Sequence, residues 1–562
     1  MRSNPNGADP WTAPGSVARG GLNAPVRSLA ACALAVLVAF GALATAQQPA
    51  GPKFRPDDPL RVDDDRAVDV GRLEERDDSD IYDFLEHTFL GPGSKDDIPA
   101  LNVNTIGDVP DSSWFTNRYV NGLPPPETLA RGPDTLPSLD ITGWPVAEGK
   151  GEGATPGFRV RGPDGSLYQL KFDPPGNPEM ATAAEVIGTA FYHAFGYHVV
   201  EQYLVEFDGS RYALTPDATI SIQGGRERPL TRRDIDGVLD VSARLSDGRY
   251  RAVARRMPKG NGIGSFRYFG TRSDDPNDIF PHEHRRELRA SRVFAAWLNH
   301  DDSRGINSKD IVVSQNGRRF VKHFMYDFNS ILGSGNQRPQ KYRSGNEYRF
   351  EADEALKTLL TFGLYVRPWA RFDYPDAPPA VGRFESAAFD PVKWKPEYPL
   401  PAFDRMRPED AFWAARIIAR FDEPAVRAIV GKGRYSDPAA VDYLVRTLME
   451  RRDKILRVWL NGVLPLVDPV LDGSGFAFRN AAVDAGVAPA AVAYDVTWYA
   501  FDNATGAHRR AGDVVRIGAG GRAALPPALA GEPFVMAAVA SDGGPAGWRT
   551  PARVYFTRVG GA

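Results

Sequence analysis

The dipeptide Asn316-Gly317 separates two strand-like runs, Asp310-Ile311-Val312-Val313-Ser314 and Arg319 to Tyr326. Asn-Gly between such runs is the strongest short-range hairpin signal, because both residues accept the positive φ of a type I′ turn. A hairpin returns its second strand to the level at which the first began. It therefore brings Asn307, just ahead of the first run, to the same end of the ribbon as Asp327, just after the second. Asp302 lies five residues before Asn307, in Asn299-His300-Asp301-Asp302-Ser303-Arg304-Gly305-Ile306-Asn307. Two carboxylates and an amide oxygen converging there suit a divalent cation and the orientation of a hydroxyl, as a phosphoryl-transfer site requires.

The rest of the chain has ordinary globular composition. It has 562 residues, 42% hydrophobic and 25% charged, which is material for two or three domains. A net charge of −3 gives no nucleic-acid footprint. Residues 29–46, LAACALAVLVAFGALATA, form one long apolar run preceded by Arg19 and Arg27 and closed by Ala44-Thr45-Ala46. This is the pattern of a secretory signal peptide with a mature chain starting at Gln47. An exported protein, periplasmic or extracellular, is expected, touching the membrane only through the leader if it stays uncleaved. Cys32, the sole cysteine, falls inside that run, so the mature chain would carry no thiol and no disulfide. Leu29-Ala30-Ala31-Cys32 mimics a lipoprotein box, but most of the apolar run follows it instead of preceding it.

Residues 47–155 are rich in Asp, Pro and Gly and weak in periodicity, and read as an extended N-terminal arm. Within it, Asn102 to Arg118 looks too specific for a spacer. From residue 156 a hairpin is expected, Phe158 to Arg161 and Ser166 to Phe172 about the turn Gly162-Pro163-Asp164-Gly165, with Lys171 near its end. Pro178 to Phe195 follows with helical spacing of Ile187, Ala190, Phe191, Ala194 and Phe195, closed by Gly196. Val199 to Phe207 and Tyr250 to Arg256 read as strands. Helices follow around Trp413, Ile417 and Phe421, over Ala425 to Val430, and from the Asp437-Pro438 start through Trp459. After about 470, strict alternation at Val492, Tyr494, Val496 and Trp498 opens a run of short strands, a small C-terminal β-sandwich domain over 470–562. The fold class is α+β.

The order is a strand with Lys171, a helix with Glu185, strands, a helix, the Asp302 loop, a hairpin, Asp327 and further helices. This order resembles the two-lobed protein-kinase-like fold, with the likeness strongest to its atypical HipA-like and CotH-like branches. It covers roughly residues 156–460, within a kinase-like domain over 156–465 that has an N-lobe over about 156–258 and a C-lobe over about 259–465. The resemblance implies ATP and Mg or Mn as cofactors. Lys171 would bind nucleotide phosphates and pair with Glu185, Asn307 and Asp327 would hold the metal, and Asp302 would orient an acceptor hydroxyl. Glu179 is a rival partner for Lys171, although a carboxylate near a helix start is also expected for the dipole alone. Asp301 is one residue out of register with Asp302. Three features depart from the family pattern. The Gly162 to Gly165 turn is no G-x-G-x-x-G loop, His300-Asp301-Asp302 lacks the arginine of H-R-D, and Asp327-Phe328-Asn329 has Asn in place of Gly.

Other motifs carry less. His282-Glu283-His284 puts two imidazoles at i, i+2, which converge on one ligand only along a strand; at a helix start they read as a capping turn. Asp274 to Asp278 lacks the spacing of an EF-hand. Gly260-Asn261-Gly262-Ile263-Gly264 falls where the two lobes would join, as a hinge or nucleotide-edge loop. An exported ATP- and metal-dependent phosphotransferase acting on an unknown protein or small-molecule acceptor is therefore the leading expectation. A kinase-like binding module without turnover is the alternative. AMP transfer on the same fold stays open, and a carboxylate-pair glycosidase would need an aromatic sugar platform that the sequence does not reveal.

Overall fold

The computed structural model describes residues 66–558 except 77–78, 119–121, 151–154, 223–225 and 492, together with residues 53, 54, 58 and 63. The apolar run 29–46 and its cleavage site lie outside the described residues. No helix among the described residues is long and apolar enough to cross a membrane.

The fold is α+β. Seven strands form the large sheet: β1 (Val146–Gly149), β2 (Gly157–Arg161), β3 (Leu167–Phe172), β4 (Gln202–Phe207), β5 (Leu214–Ile222), β6 (Arg226–Pro229) and β7 (Tyr250–Arg256). Their order is β4-β7-β3-β2-β1-β5-β6. Only β1 and β5 run parallel; the other neighbours are antiparallel. The sheet thus begins ten residues before the boundary the sequence suggested, because β1 is too short to show a period. The side chains of β3 alternate as a pleated strand must. Tyr168, Leu170 and Phe172 enter a core with Phe158, Phe207 and Tyr250 on one face. Gln169 and Lys171 point to the other, where the helix Met180–Phe195 lies.

A smaller sheet holds β8 (Asn261–Gly262), β9 (Ser308–Gln315) and β10 (Arg318–Met325), in the order β10-β9-β8. Asn316 and Gly317 both take positive φ at its turn. Within the Gly260 to Gly264 segment, Asn261–Gly262 is an edge strand on the hairpin. Helices Arg286–Leu298, Pro408–Ile418, Glu423–Gly431 and Pro438–Trp459 pack around Trp297, which is fully buried. Asp437 caps the last of these from its side chain, with Pro438 at the first helical position. Beyond it come the ribbon β11 (Leu466–Asp472) with β12 (Gly475–Asn480), and a sheet of β13 (Ala493–Phe501), β14 (His508–Arg510), β15 (Val515–Ile517), β16 (Phe534–Asp542) and β17 (Ala552–Thr557).

The Asn102 to Arg118 segment has a clear role. Trp114 stacks on His323 of β10 at 3.6 Å between ring centroids, and the Arg285 guanidinium lies over its other side at 4.3 Å. The His323 backbone N–H donates to the Ser113 carbonyl. Phe115 bridges to Tyr197, just past the end of the Met180–Phe195 helix. The segment is a strap joining the hairpin to that helix.

Candidate active site

Lys171 is brought to the site by strand register. It pairs with Val253 of β7 and with Gly157 of β2. Gly157 allows that close approach, since a Cβ there would stand 2.2 Å from the Leu170 carbonyl oxygen. Lys171 is 5% exposed, so an unpaired ammonium would be costly. Its Nζ donates to Glu185 Oε2 at 3.2 Å and to Asp327 Oδ2 at 2.8 Å. Glu185 is itself buried and also accepts from Arg255 at 2.5 Å and from Gln202 Nε2 at 2.8 Å. Arg255 reaches Asp327 Oδ1 at 3.7 Å. Two cations thus hold two carboxylates together between the sheet, the helix and the end of the hairpin.

Gly188 explains how the hairpin end comes so close. It faces Phe328 and Ile331, and a Cβ there would stand 2.6 Å from each. Phe328, buried beside Tyr192 at 4.7 Å, anchors the chain immediately after Asp327. Asn329 keeps a negative φ, so the departure from glycine costs no strain here. Glu179 sits elsewhere: it precedes the helix at φ 68° and accepts from the backbone and hydroxyl of Ser436.

The hairpin ends meet. The Tyr326 and Asp327 backbone N–H groups donate to the Asn307 carbonyl at 3.0 and 3.3 Å. Asn307 Nδ2 donates to the Asp302 carbonyl at 2.7 Å, which leaves the amide oxygen as an acceptor. Asp302 touches Asn307 through its backbone, while its carboxylate pairs with Arg304. Arg304 also binds Asp80 and lies 3.5 Å from Glu397. Asp301 is buried and accepts from Gln340 Nε2 at 2.9 Å.

The carboxylates of the site are driven apart electrostatically. Burial opposes charge on Asp327, yet Lys171 and Arg255 hold it far below the usual carboxylate range. Burial pushes Asp302 up to about 7 against the pull of Arg304, with Asp301, Glu397 and Asp327 adding to the rise. Burial likewise raises Asp301 to about 6. Asp327 is thus held ionised, while Asp302 is only partly ionised near pH 7.

The donor set tests the implied cation. Among the described residues Asp327 Oδ1 meets the Asn329 N–H at 3.4 Å and Arg255 at 3.7 Å, and the Asn307 side-chain nitrogen is committed to the Asp302 carbonyl. One carboxylate and one amide oxygen fit Mg or Mn, which take few protein ligands and complete their shell with phosphates and water. Among the described residues no group of three His, Cys, Asp or Glu side chains is arranged for a metal. His282 and His284 do not converge. His282 bonds Asp278 and the Arg267 carbonyl, and His284 bonds Arg289.

Three participants escape a reading of the sequence. Arg255 and Gln202 complete the glutamate's shell, but nothing in the sequence marks them beyond a polar residue in an apolar strand. Lys150, one residue after β1, donates to the Thr155 carbonyl at 2.7 Å. Burial and neighbouring Lys171 lower its pKa to about 8, against the pull of Asp327. The signal was available: Gly149-Lys150-Gly151-Glu152-Gly153 is glycine-rich and stands between β1 and β2.

No protein-family model matches the chain, and no curated protein matches it. Among solved structures it is similar to the Helicobacter pylori proinflammatory kinase CtkA, at 12% identity and a TM-score of 0.27, over 57% of this chain and 95% of that one.

Proposed function

We propose that the chain is an exported, ATP- and metal-dependent phosphotransferase of kinase-like architecture. The observation that carries this reading is Lys171 Nζ held between Glu185 at 3.2 Å and Asp327 at 2.8 Å. A buried lysine fixed by a helix glutamate presents its charge to phosphate oxygens without reorganisation. Asn307 and Asp327 would hold Mg or Mn, which supplies charge neutralisation at the transferring phosphoryl group. Asp302 orients the acceptor hydroxyl and takes its proton. A carboxyl near pH 7 suits that task, because it is partly ionised and still basic. The export reading rests on the apolar run 29–46. N-terminal sequencing of the extracted protein should find Gln47 first; an intact leader would remove it.

A second reading, a kinase-like binding module without turnover, is favoured by one contact. Arg304 occupies the Asp302 carboxylate, and it would have to yield before an acceptor hydroxyl could be oriented. Calorimetry with MnATP, together with ATP turnover, separates the two. Asp327→Ala should abolish metal-dependent nucleotide binding. Asp302→Ala should bind normally yet turn over several orders of magnitude more slowly, since acceptor orientation is felt mainly in the transition state. The turnover of the unaltered chain should rise with pH through about 7 as Asp302 ionises. Equal turnover in Asp302→Ala and the unaltered chain would overturn the mechanism, and binding without any turnover would establish the module.

A further inference from the structure

A cavity of about 570 Å³ opens beside the Asp302 loop, between residues 341–354 and 368–395. That volume lies in the range of small-molecule sites. One wall is Asn299, which ends the helix leading into His300-Asp301-Asp302. Its amide is held on both sides, donating to Gln340 Oε1 at 2.7 Å and accepting from Trp394 Nε1 at 2.9 Å. Gln340 in turn donates to the Asp301 carboxylate at 2.9 Å. The cavity wall and the acceptor-orienting loop are therefore one hydrogen-bonded piece.

The lining is aromatic and its charges are largely satisfied. Tyr342, Tyr348, Trp369, Phe372 and Tyr374 line the cavity. Tyr342 and Tyr374 stand 4.7 Å apart, and Phe372 meets Tyr374 edge-on at 5.2 Å. Glu351 is paired with Lys395 at 2.6 Å, and Glu354 with Lys357 and Arg367 at 2.6 Å each. Glu347 accepts from Trp369 Nε1 at 2.6 Å, and Arg383 lies over Tyr342 at 4.0 Å. Among the described residues Lys341 is the one lining charge without a partner, and it is exposed at the rim. Arg292, Arg383 and Arg451 have no acidic partner among the described residues but spend donors on the Val392, Gln340 and Glu385 backbone carbonyls, so an anionic ligand would have to compete with those bonds. A ligand with apolar C–H faces and peripheral hydroxyls finds ring faces, and carboxylate and amide oxygens already aligned by their partners.

We propose that this cavity is the acceptor site and that the acceptor is a neutral carbohydrate. The proposal rests on the phosphotransferase reading for its reaction, but not for its binding. In the reaction a sugar hydroxyl oxygen forms a bond to the γ-phosphorus of a nucleoside triphosphate. The bond from that phosphorus to the β–γ bridging oxygen breaks, and its electron pair leaves with the nucleoside diphosphate. The hydroxyl proton passes to Asp302 and then to solvent.

The test needs no nucleotide. The labelled full-length chain is applied to an array of neutral and anionic mono- and oligosaccharides, alongside Trp369→Ala and Tyr374→Ala. Both side chains are partly exposed, so neither variant opens the core. Retention on at least one neutral glycan, reduced tenfold or more in both variants, is the expected result. Retention on anionic glycans alone, equal retention by all three chains, or no retention would each overturn the proposal. MnATP calorimetry on the same preparations reports on the phosphotransferase reading separately, so either can fail without the other.

Discussion

Lys150 and Lys171 present two ammonium groups to one small site, and their difference is a matter of partners. Lys171 has two carboxylates in contact, whereas Lys150 has a backbone carbonyl and a cationic neighbour. Its pKa of about 8 means that much of its charge is lost above pH 8 in the structure as it stands. Phosphate oxygens brought near would favour the charged form and raise that value. Between the two pKa values the complex then holds a proton that the free protein lacks. Nucleotide binding at pH 8.5 should therefore take up protons, measured from the dependence of calorimetric heat on buffer ionisation. Lys150→Met should bind more weakly and show the uptake removed. Uptake unchanged in Lys150→Met would place the titrating group elsewhere. Lys171→Met is expected to cost stability as well as binding, on the order of 3–5 kcal/mol, because it leaves two buried or half-buried carboxylates with Arg255 as their one contacting cation among the described residues.

At the scale of elements, a strap holds the hairpin that carries part of the site. Trp114 is sandwiched between His323 and Arg285, so the strap fixes the hairpin whose ends carry Asn307 and Asp327. Trp114→Ala should cost about 3–5 kcal/mol, read from urea unfolding, and should weaken nucleotide binding more than an equally destabilising change in β13 would. Equal weakening would deny the strap any positioning role. The hairpin was legible because Asn316-Gly317 is a local device with a single geometric solution. The helix Met180–Phe195 and the Asp437-Pro438 start were legible for the same reason, being period and cap. β1, β5 and β6 were not. β1 has four residues, and β5, Leu214–Ile222, interrupts its alternation with Pro216 and Asp217. Their membership in the sheet is decided by pairing with strands far along the chain, which no local window contains. The same shortness of β1 hides the Gly149 to Gly153 stretch: with no recognisable strand before them, its glycines read as part of the arm. Arg255 was hidden in the same way, since only the register of β7 against β3 and β4 turns it toward Glu185.

Across the whole molecule, one hydrophobic cluster runs from the glutamate helix to the C-terminal strands. Val186, Trp297, Leu448, Phe476, Trp498 and Trp548 all belong to it. The turn carrying Trp548 lies against the end of the long helix so closely that a Cβ on Gly547 would stand 2.2 Å from the Asn461 carbonyl oxygen. The arm closes the circuit from the other end of the chain. Phe54 stacks on Phe534 at 5.7 Å, and its backbone N–H and carbonyl both bond the Asn503 side chain at 2.8 Å. Elements this interlocked cannot open one at a time without exposing large aromatic surfaces to water, so the sheet of β13 to β17 should unfold together with the helices. A single calorimetric transition is expected, and Trp548→Ala should lower its midpoint as a whole, through the loss of the about 3–5 kcal/mol of stability that emptying a fully buried tryptophan site costs. Within each chain, tryptophan fluorescence and far-ultraviolet circular dichroism should report one common midpoint. Two transitions, of which Trp548→Ala moves only one, would instead establish the C-terminal strands as a separately folding module docked on the helices.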